Sequence, residues 1–384
     1  MRLLRRLLWR LAALAILAAG SYATVVRFSR GLGAATNLSD RMPWGLWIGF
    51  DVLCGVGLAA GGFALTTAVY ILHLERLRPV VRPAVLTAFL GYLLVILALI
   101  YDLGRPWNIW RAAVLWNPRS VMFEVAWCVM LYTTVLALEF SPLLWEKLGW
   151  RRAARAARRA IVPLAAAGFI LSTLHQSSLG SLYLILPSKL HPLWYSPWLP
   201  WLFWLSAVAA GLGMVIFESG LSARAFDRAL ERDVLEDLAK AMAVFLALYL
   251  FLRFWDLGSR GQWAAAWRFP GPGSFEAAMF WLENLLLALP AALALSGRFR
   301  RHPQRLFALA ATAVGGFLVH RLNVSTTGLE AAAGARYFPS WMEVAVTLML
   351  VTLGVAAFRL AVRHLAVFEQ ERKAEEVERR PAYA

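Results

Sequence analysis

Leu171-Ser-Thr-Leu-His-Gln-Ser-Ser-Leu-Gly-Ser-Leu-Tyr183, followed by Lys189-Leu-His-Pro-Leu-Trp-Tyr195, is the stretch around which this chain is organised. It places His175, Gln176, Ser177 and Ser178 at the end of one apolar run, immediately before a Pro- and aromatic-rich loop that leads into the next. In hydrocarbon a cluster of ionisable and hydrogen-bonding groups is costly, so it faces a bundle interior or a cavity and marks a functional site. The stretch therefore reads as the hinge between two similar halves and as one wall of a ligand pocket.

The surroundings require a membrane. The chain has 384 residues, 60% of them hydrophobic, with 18 Trp and a mean hydropathy of +0.60, far more apolar surface than a water-soluble fold of this length can hide. Runs long enough to cross about 30 Å of hydrocarbon as helices lie near 7–26, 44–74, 83–101, 120–140, 160–178, 201–220, 238–257, 274–296, 304–322 and 340–362. The fold class is thus an all-α polytopic membrane protein with about ten transmembrane helices. The formal charge of +16 does not point to nucleic acid, because the arginines punctuate apolar runs and form no continuous patch. Their placement is topological. With the basic start Met1-Arg-Leu-Leu-Arg-Arg6 inside, 27 of the 39 Lys and Arg residues fall on the inner side, which puts both termini in the cytoplasm and the chain in a bacterial inner membrane. The first run, with Ala-Gly-Ser-Tyr-Ala23, resembles a signal peptide, but its removal would spoil the even span count, so it is expected to stay. The two cysteines, Cys54 and Cys128, form no CxxC, which speaks against an iron–sulfur cluster or a disulfide framework in this chain.

Two halves repeat. Tyr101-Asp-Leu-Gly104 ends the third run and Trp255-Asp-Leu-Gly258 the seventh; each precedes a Trp-bearing loop and a run opening on Phe-Glu, Phe123-Glu124 in one half and Phe275-Glu276 in the other. His175 and His320 then occupy comparable positions. This order predicts two four-helix bundles related as a parallel repeat, with flanking helices. The division expected is 1–43 (first helix and outer loop), 44–200 (first bundle), 201–338 (second bundle) and 339–384 (last helix and charged tail). Glycines at Gly45, Gly49, Gly57 and Gly61 let the second run pack backbone-close to a neighbour.

Ionisable groups step across the bilayer. At 1.5 Å per residue Asp51, Glu124 and His175 lie in the outer third, Tyr92 and Glu283 near the midplane and Glu218 toward the cytoplasm. Carboxylates, imidazole and phenol at stepped depths are the materials of a proton relay. Each also has a structural reading. Glu218 and Glu139 near inner ends can snorkel or pair with Arg; Asp102, with Arg105 nearby, and Asp256 can cap helix ends; His73, His302 and His364 sit beside inner charges at the surface. The outer tryptophans, Trp44, Trp47, Trp107 and Trp110 among them, read first as an interfacial belt. Glu124 and Asp51 have no Arg within one helical turn, so their partners must come from other helices.

The segments Thr36-Asn-Leu-Ser-Asp-Arg-Met-Pro-Trp-Gly-Leu-Trp-Ile-Gly-Phe-Asp51, Asp102-Leu-Gly-Arg-Pro-Trp107, Ser120-Val-Met-Phe-Glu-Val-Ala-Trp127 and Leu174-His-Gln-Ser-Ser-Leu-Gly180 closely resemble the polysulfide-reductase/NrfD family, and within it the HybB-type branch that serves respiratory uptake nickel–iron hydrogenases. The resemblance implies two four-helix bundles without haem or metal, exchanging electrons with a quinone, menaquinone or ubiquinone, near the outer surface. It implies as partners a periplasmic ferredoxin-like iron–sulfur subunit and, behind it, the large and small hydrogenase subunits. On this resemblance Glu124, His175, Tyr92 and Glu218 match positions tied to quinone chemistry or proton passage. The site expected is a quinone held by His175, Gln176, Tyr92, Glu124 and Trp47, with Glu124, His175, Tyr92, Asp51, Glu218 and Glu283 transferring protons. Other classes remain open from sequence. A proton-coupled secondary transporter would share the repeat and the carboxylates but should break its helices at matched mid-span Pro or Gly residues. A passive anchor would bind no quinone.

Overall fold

The structure is a computed structural model that describes residues 2–368, with side chains from residue 7. The tail expected beyond Arg363 lies, past residue 368, outside the described residues. Among the described residues nine helices are long and apolar enough to cross a membrane, and a tenth is a bent pair, Arg151–Arg159 and Ile161–Leu184, meeting at 54°. Helices are the form this composition allows, because hydrocarbon offers no partner to an open backbone N–H or C=O.

We label the ten spans α1 (Arg2–Arg30), α2 (Trp47–Tyr70), α3 (Arg78–Asp102), α4 (Val121–Lys147), α5 (Ile161–Leu184), α6 (Leu199–Phe226), α7 (Arg232–Ser259), α8 (Ser274–Leu293), α9 (Pro303–Ala333) and α10 (Trp341–His364). Helices α2 to α5 close a ring in which each packs on the next and α5 returns to α2; α6 to α9 close a second ring in the same order. α10 packs on α3, and α1 lies against α10. Ends are set by local chemistry. The Ser120 hydroxyl accepts from the Phe123 N–H to start α4, and Ser340 with Glu343 forms a full capping box at α10. Large apolar side chains such as Phe251, Ile170 and Leu285, each more than 60% exposed, are the surface offered to lipid.

The repeat extends to a specific bond. The indole N–H of Trp127 donates to the carbonyl of Ala112 at 3.1 Å, and that of Trp281 to Ala266 at 2.9 Å, each reaching back 15 residues to the loop that follows an Asp-Leu-Gly. These bonds align the halves with Ser120 opposite Ser274, two residues away from the Phe-Glu alignment, so Glu276 has no counterpart in Glu124. The bundles meet where α2 and α6 cross: a Cβ on Gly61 would stand 2.6 Å from the Gly211 carbonyl oxygen, and one on Gly211 only 2.2 Å from the Gly61 nitrogen. That approach admits only glycine, as the small-residue pattern of α2 predicts.

Two helices depart from regular winding. α2 opens as a π-helix over Trp47–Cys54 and α9 carries another over Asn323–Thr327, and the two face each other. A π-turn frees backbone carbonyls and recurs at functional sites. They sit in helices that are not counterparts in the repeat, unlike the matched breaks of a transporter.

Candidate functional site

His175 does not end its helix; α5 continues nine residues further, to Leu184. Its ring is fully buried in the first bundle and neither nitrogen has a hydrogen-bond partner. The Tyr92 ring from α3 lies 5.7 Å from it edge-on, and Tyr132 from α4 stands 4.8 Å from Tyr92 in the same manner. The hydroxyls of Tyr92, Tyr132 and Ser172 are buried without partners too. Gln176 donates to the Val56 carbonyl at 3.2 Å, leaving its own carbonyl oxygen unpaired. Unpaired polar atoms inside a bundle cost about 1–3 kcal/mol each. The sequence reading joined His175, Gln176 and Tyr92 but missed Tyr132 and Ser172, whose only signal was the helical spacing of Ser172 to His175 and Gln176 on one face of α5.

The second bundle holds a cluster of different character. Glu283 of α8 is fully buried and accepts from Trp194 Nε1 at 3.0 Å, Asn323 Nδ2 at 2.7 Å and Arg253 Nη2 at 3.3 Å, with His320 Nδ1 at 3.7 Å and the Tyr249 hydroxyl 3.3 Å from that same nitrogen. The Arg321 guanidinium beside it lies 3.6 Å from the Phe203 ring and donates to the Phe203 carbonyl at 2.9 Å. Glu283 is therefore a saturated acceptor in the second bundle, apart from the His175 cluster. The feature that could have revealed its partner is Arg253, a lone Arg inside the apolar run of α7.

The other expected residues scatter. Asp51 accepts from Thr347 of α10 at 2.6 Å, so its partner does come from another helix, and it faces the flank of the first bundle. Glu218 accepts from Thr87 at 2.5 Å, across the contact of α6 with α3. Glu124 is half-buried in the first turn of α4, one turn above buried Cys128. Trp47 packs among Ala23, Ala98, Tyr101 and Val346, and its N–H donates to the Glu343 carbonyl at 3.2 Å. Its indole belongs to the joint with α1 and α10, so the structure separates it from His175. The single ladder expected from depth becomes two clusters and two flank contacts. Asp102 faces Arg27, not Arg105: Arg27 caps the end of α3 through the Tyr101 and Leu103 carbonyls, both at 2.6 Å. Asp256 is paired with Arg260 at 2.8 Å. His73, His302 and His364 are exposed, as expected. Among the described residues no three His, Cys, Asp or Glu side chains gather as a metal site.

Residues 34–333 match the family described as Polysulphide reductase, NrfD. The chain belongs to the NrfD family. Similar proteins include one from Nitratidesulfovibrio vulgaris, 40% identical over 92% of both chains, named only as a protein, and the Escherichia coli "Probable Ni/Fe-hydrogenase 2 b-type cytochrome subunit", 36% identical over 89% of this chain and 88% of that one. The N. vulgaris "Menaquinone reductase, integral membrane subunit" is 29% identical over 92% and 89%. The NrfD match covers both bundles and both buried clusters, and stops short of α10, which supplies Thr347 to Asp51.

Proposed function

We propose that this NrfD-family chain is the quinone-handling membrane subunit of a respiratory oxidoreductase, in the first instance an uptake nickel–iron hydrogenase. The observation that carries the reading is the pairing of His175 and Tyr92: two fully buried side chains, edge-on at 5.7 Å, with both imidazole nitrogens and the phenol unpartnered. A quinone carbonyl accepts hydrogen bonds that a phenol O–H and an imidazole N–H donate. The naming of one relative as a hydrogenase subunit and another as a menaquinone reductase subunit supports the substrate class and the complex.

In this reading the basic side of the bilayer is cytoplasmic and both termini lie there. Electrons come from a ferredoxin-like iron–sulfur subunit docked on the opposite, periplasmic face, beneath the hydrogenase subunits. Reduction takes two electrons and two protons per quinone. His175 and Tyr92 bind and orient the carbonyls, and Gln176 fixes the neighbouring backbone. In this reading no haem intervenes, His175 and His320 standing in separate bundles. In this reading the ring of α2 to α5 belongs to the unit 44–200, which holds the substrate, and the ring of α6 to α9 to the unit 201–338.

The test is titration of the purified full-length chain with a quinone-site inhibitor, read by quenching of its tryptophans. Saturable binding that weakens about tenfold or more in His175→Ala, the loss of one or two good hydrogen bonds, supports the reading. Absence of saturable binding makes the chain an anchor and refutes it.

A further inference from the structure

α4 carries Glu124, Cys128, Tyr132, Leu136 and Glu139 at steps of three and four residues, hence on one face. From Cys128 to Glu139 that face is buried inside the first bundle. Its lower end meets a cavity of about 240 Å³ on the basic side, lined by Thr66, Tyr70, Arg82, Glu139 and Arg158. Room for several waters lies there, and Arg158, half-exposed, stands at its rim. Glu218, expected from sequence to be the inner carboxylate, does not line it.

One carboxylate oxygen of Glu139 is buried with no partner. It stands 3.9 Å from the point that a Cβ on Gly168 of α5 would occupy, and the Tyr132 ring stands 3.4 Å from that same point. The space a Gly168 side chain would fill is thus bordered by the Glu139 carboxylate, the Tyr132 ring and Val135, whose Cγ1 stands 3.5 Å from the same point. Beyond Tyr132 come Tyr92 and His175 at ring distances of 4.8 and 5.7 Å, with Ser172 among them, and every one of their polar side-chain atoms is unpartnered. Hydroxyls accept one proton while donating another, so a row of them joined by water relays protons without holding charge.

We propose that Glu139 is the intake carboxylate of a proton conduit leading from the basic-side cavity, past Tyr132, Ser172 and Tyr92, to His175. The inference rests on the quinone reading above and assigns the source of its protons. Two electrons reach the quinone from the reduced iron–sulfur partner and two protons reach its oxygens through the conduit. For each, protonated Glu139 releases its proton upward and the carboxylate takes another from cavity water. Glu139 is a positioning and relay group; it does not touch the substrate.

The experiment uses membrane vesicles holding the full-length chain with its native electron-donating partner, reduced by a viologen dye, with menadione as acceptor and a pH dye trapped on the basic side. Glu139→Gln is expected to slow menadione reduction about tenfold or more, as losing a proton-transfer group does, while Glu139→Asp keeps most of the rate. Gly168→Ala adds a methyl at ordinary contact distance, so it folds, and it fills the gap below Tyr132; its rate falls severalfold. Azide, a small weak acid that reaches the cavity, restores part of the Glu139→Gln rate, which a structural role for Glu139 would not permit. Normal inhibitor binding with a wild-type rate and wild-type proton uptake in Glu139→Gln overturns this inference alone. Failure of the wild-type chain to bind inhibitor overturns the quinone reading and this inference with it.

Discussion

Glu283 was expected to move protons, whereas its contacts with Trp194, Asn323 and Arg253 suit a structural ion pair, and a double-mutant cycle with Arg253 tests that role. The two side chains are 0% and 1% exposed, and Arg253 has two further nitrogens, Nε and Nη1, already without partners. Replacing Glu283 with Gln leaves the amide oxygen able to accept from Asn323 and Trp194 but leaves the guanidinium uncompensated. Removing one member of a buried pair costs about 3–5 kcal/mol, whereas removing both for neutral groups of similar size is close to neutral. Each single variant, Glu283→Gln and Arg253→Met, should therefore lower the unfolding midpoint of the purified chain in detergent substantially, and the double variant should recover most of that loss. The coupling expected is about 2 kcal/mol or more, above the range for unconnected sites. Additive effects of the two single variants, or a Glu283→Gln chain with native stability and slowed proton uptake, would refute the structural assignment.

Three further outcomes follow from the packing. Gly211→Ala should destabilise the chain by about 1–3 kcal/mol, the cost of overpacking, because its methyl would meet the backbone of Gly61 at 2.2 Å; thermal unfolding checks this. Arg27→Met should loosen the end of α3, since hydrogen bonds from a charged donor contribute about 1.5–3 kcal/mol and two are lost; hydrogen exchange at residues 99–104 should rise. The third concerns His191 in the loop after α5. Burial holds its imidazole below the ordinary 6.5, with Arg268 adding to this and Glu276 opposing. The folded chain thus takes up that proton less readily than the unfolded one. Stability is fully present above the unfolded value and is lost as pH falls below about 6.5. His191→Asn should flatten that part of the pH–stability curve.

Span number and helix identity were legible because hydrocarbon leaves composition little freedom: apolar runs of the right length must be helices. The Asp-Leu-Gly pair exposed the repeat and carries its register, the short Phe-Glu match slipped it by two residues, and the Trp127 and Trp281 bonds to the preceding loops restore the offset from Asp102 to Asp256. Depth along each helix was also readable, yet depth does not say which helices touch. Asp51 and Glu283 have depths suited to a relay, but one faces Thr347 and the other Arg253, contacts made between residues distant in sequence. Glu139 lay near an inner end beside many arginines, where snorkelling is the ordinary reading; a cavity and the bare side of Gly168 are needed to see it otherwise. Tyr132 and Ser172 carried no charge to draw notice. The π-turns of α2 and α9 leave no trace in hydrophobic periodicity, so their encounter was invisible.

Photo-crosslinking with a light-activated azidoquinone tests the central claim most directly. The account predicts that labelled peptides, mapped after proteolysis of the full-length chain, come from α3, α4 and α5 around Tyr92, Tyr132 and His175, and that excess quinone-site inhibitor suppresses them. Label confined to the second bundle around Glu283 and His320, or spread over the lipid-facing surface and unaffected by inhibitor, would contradict it.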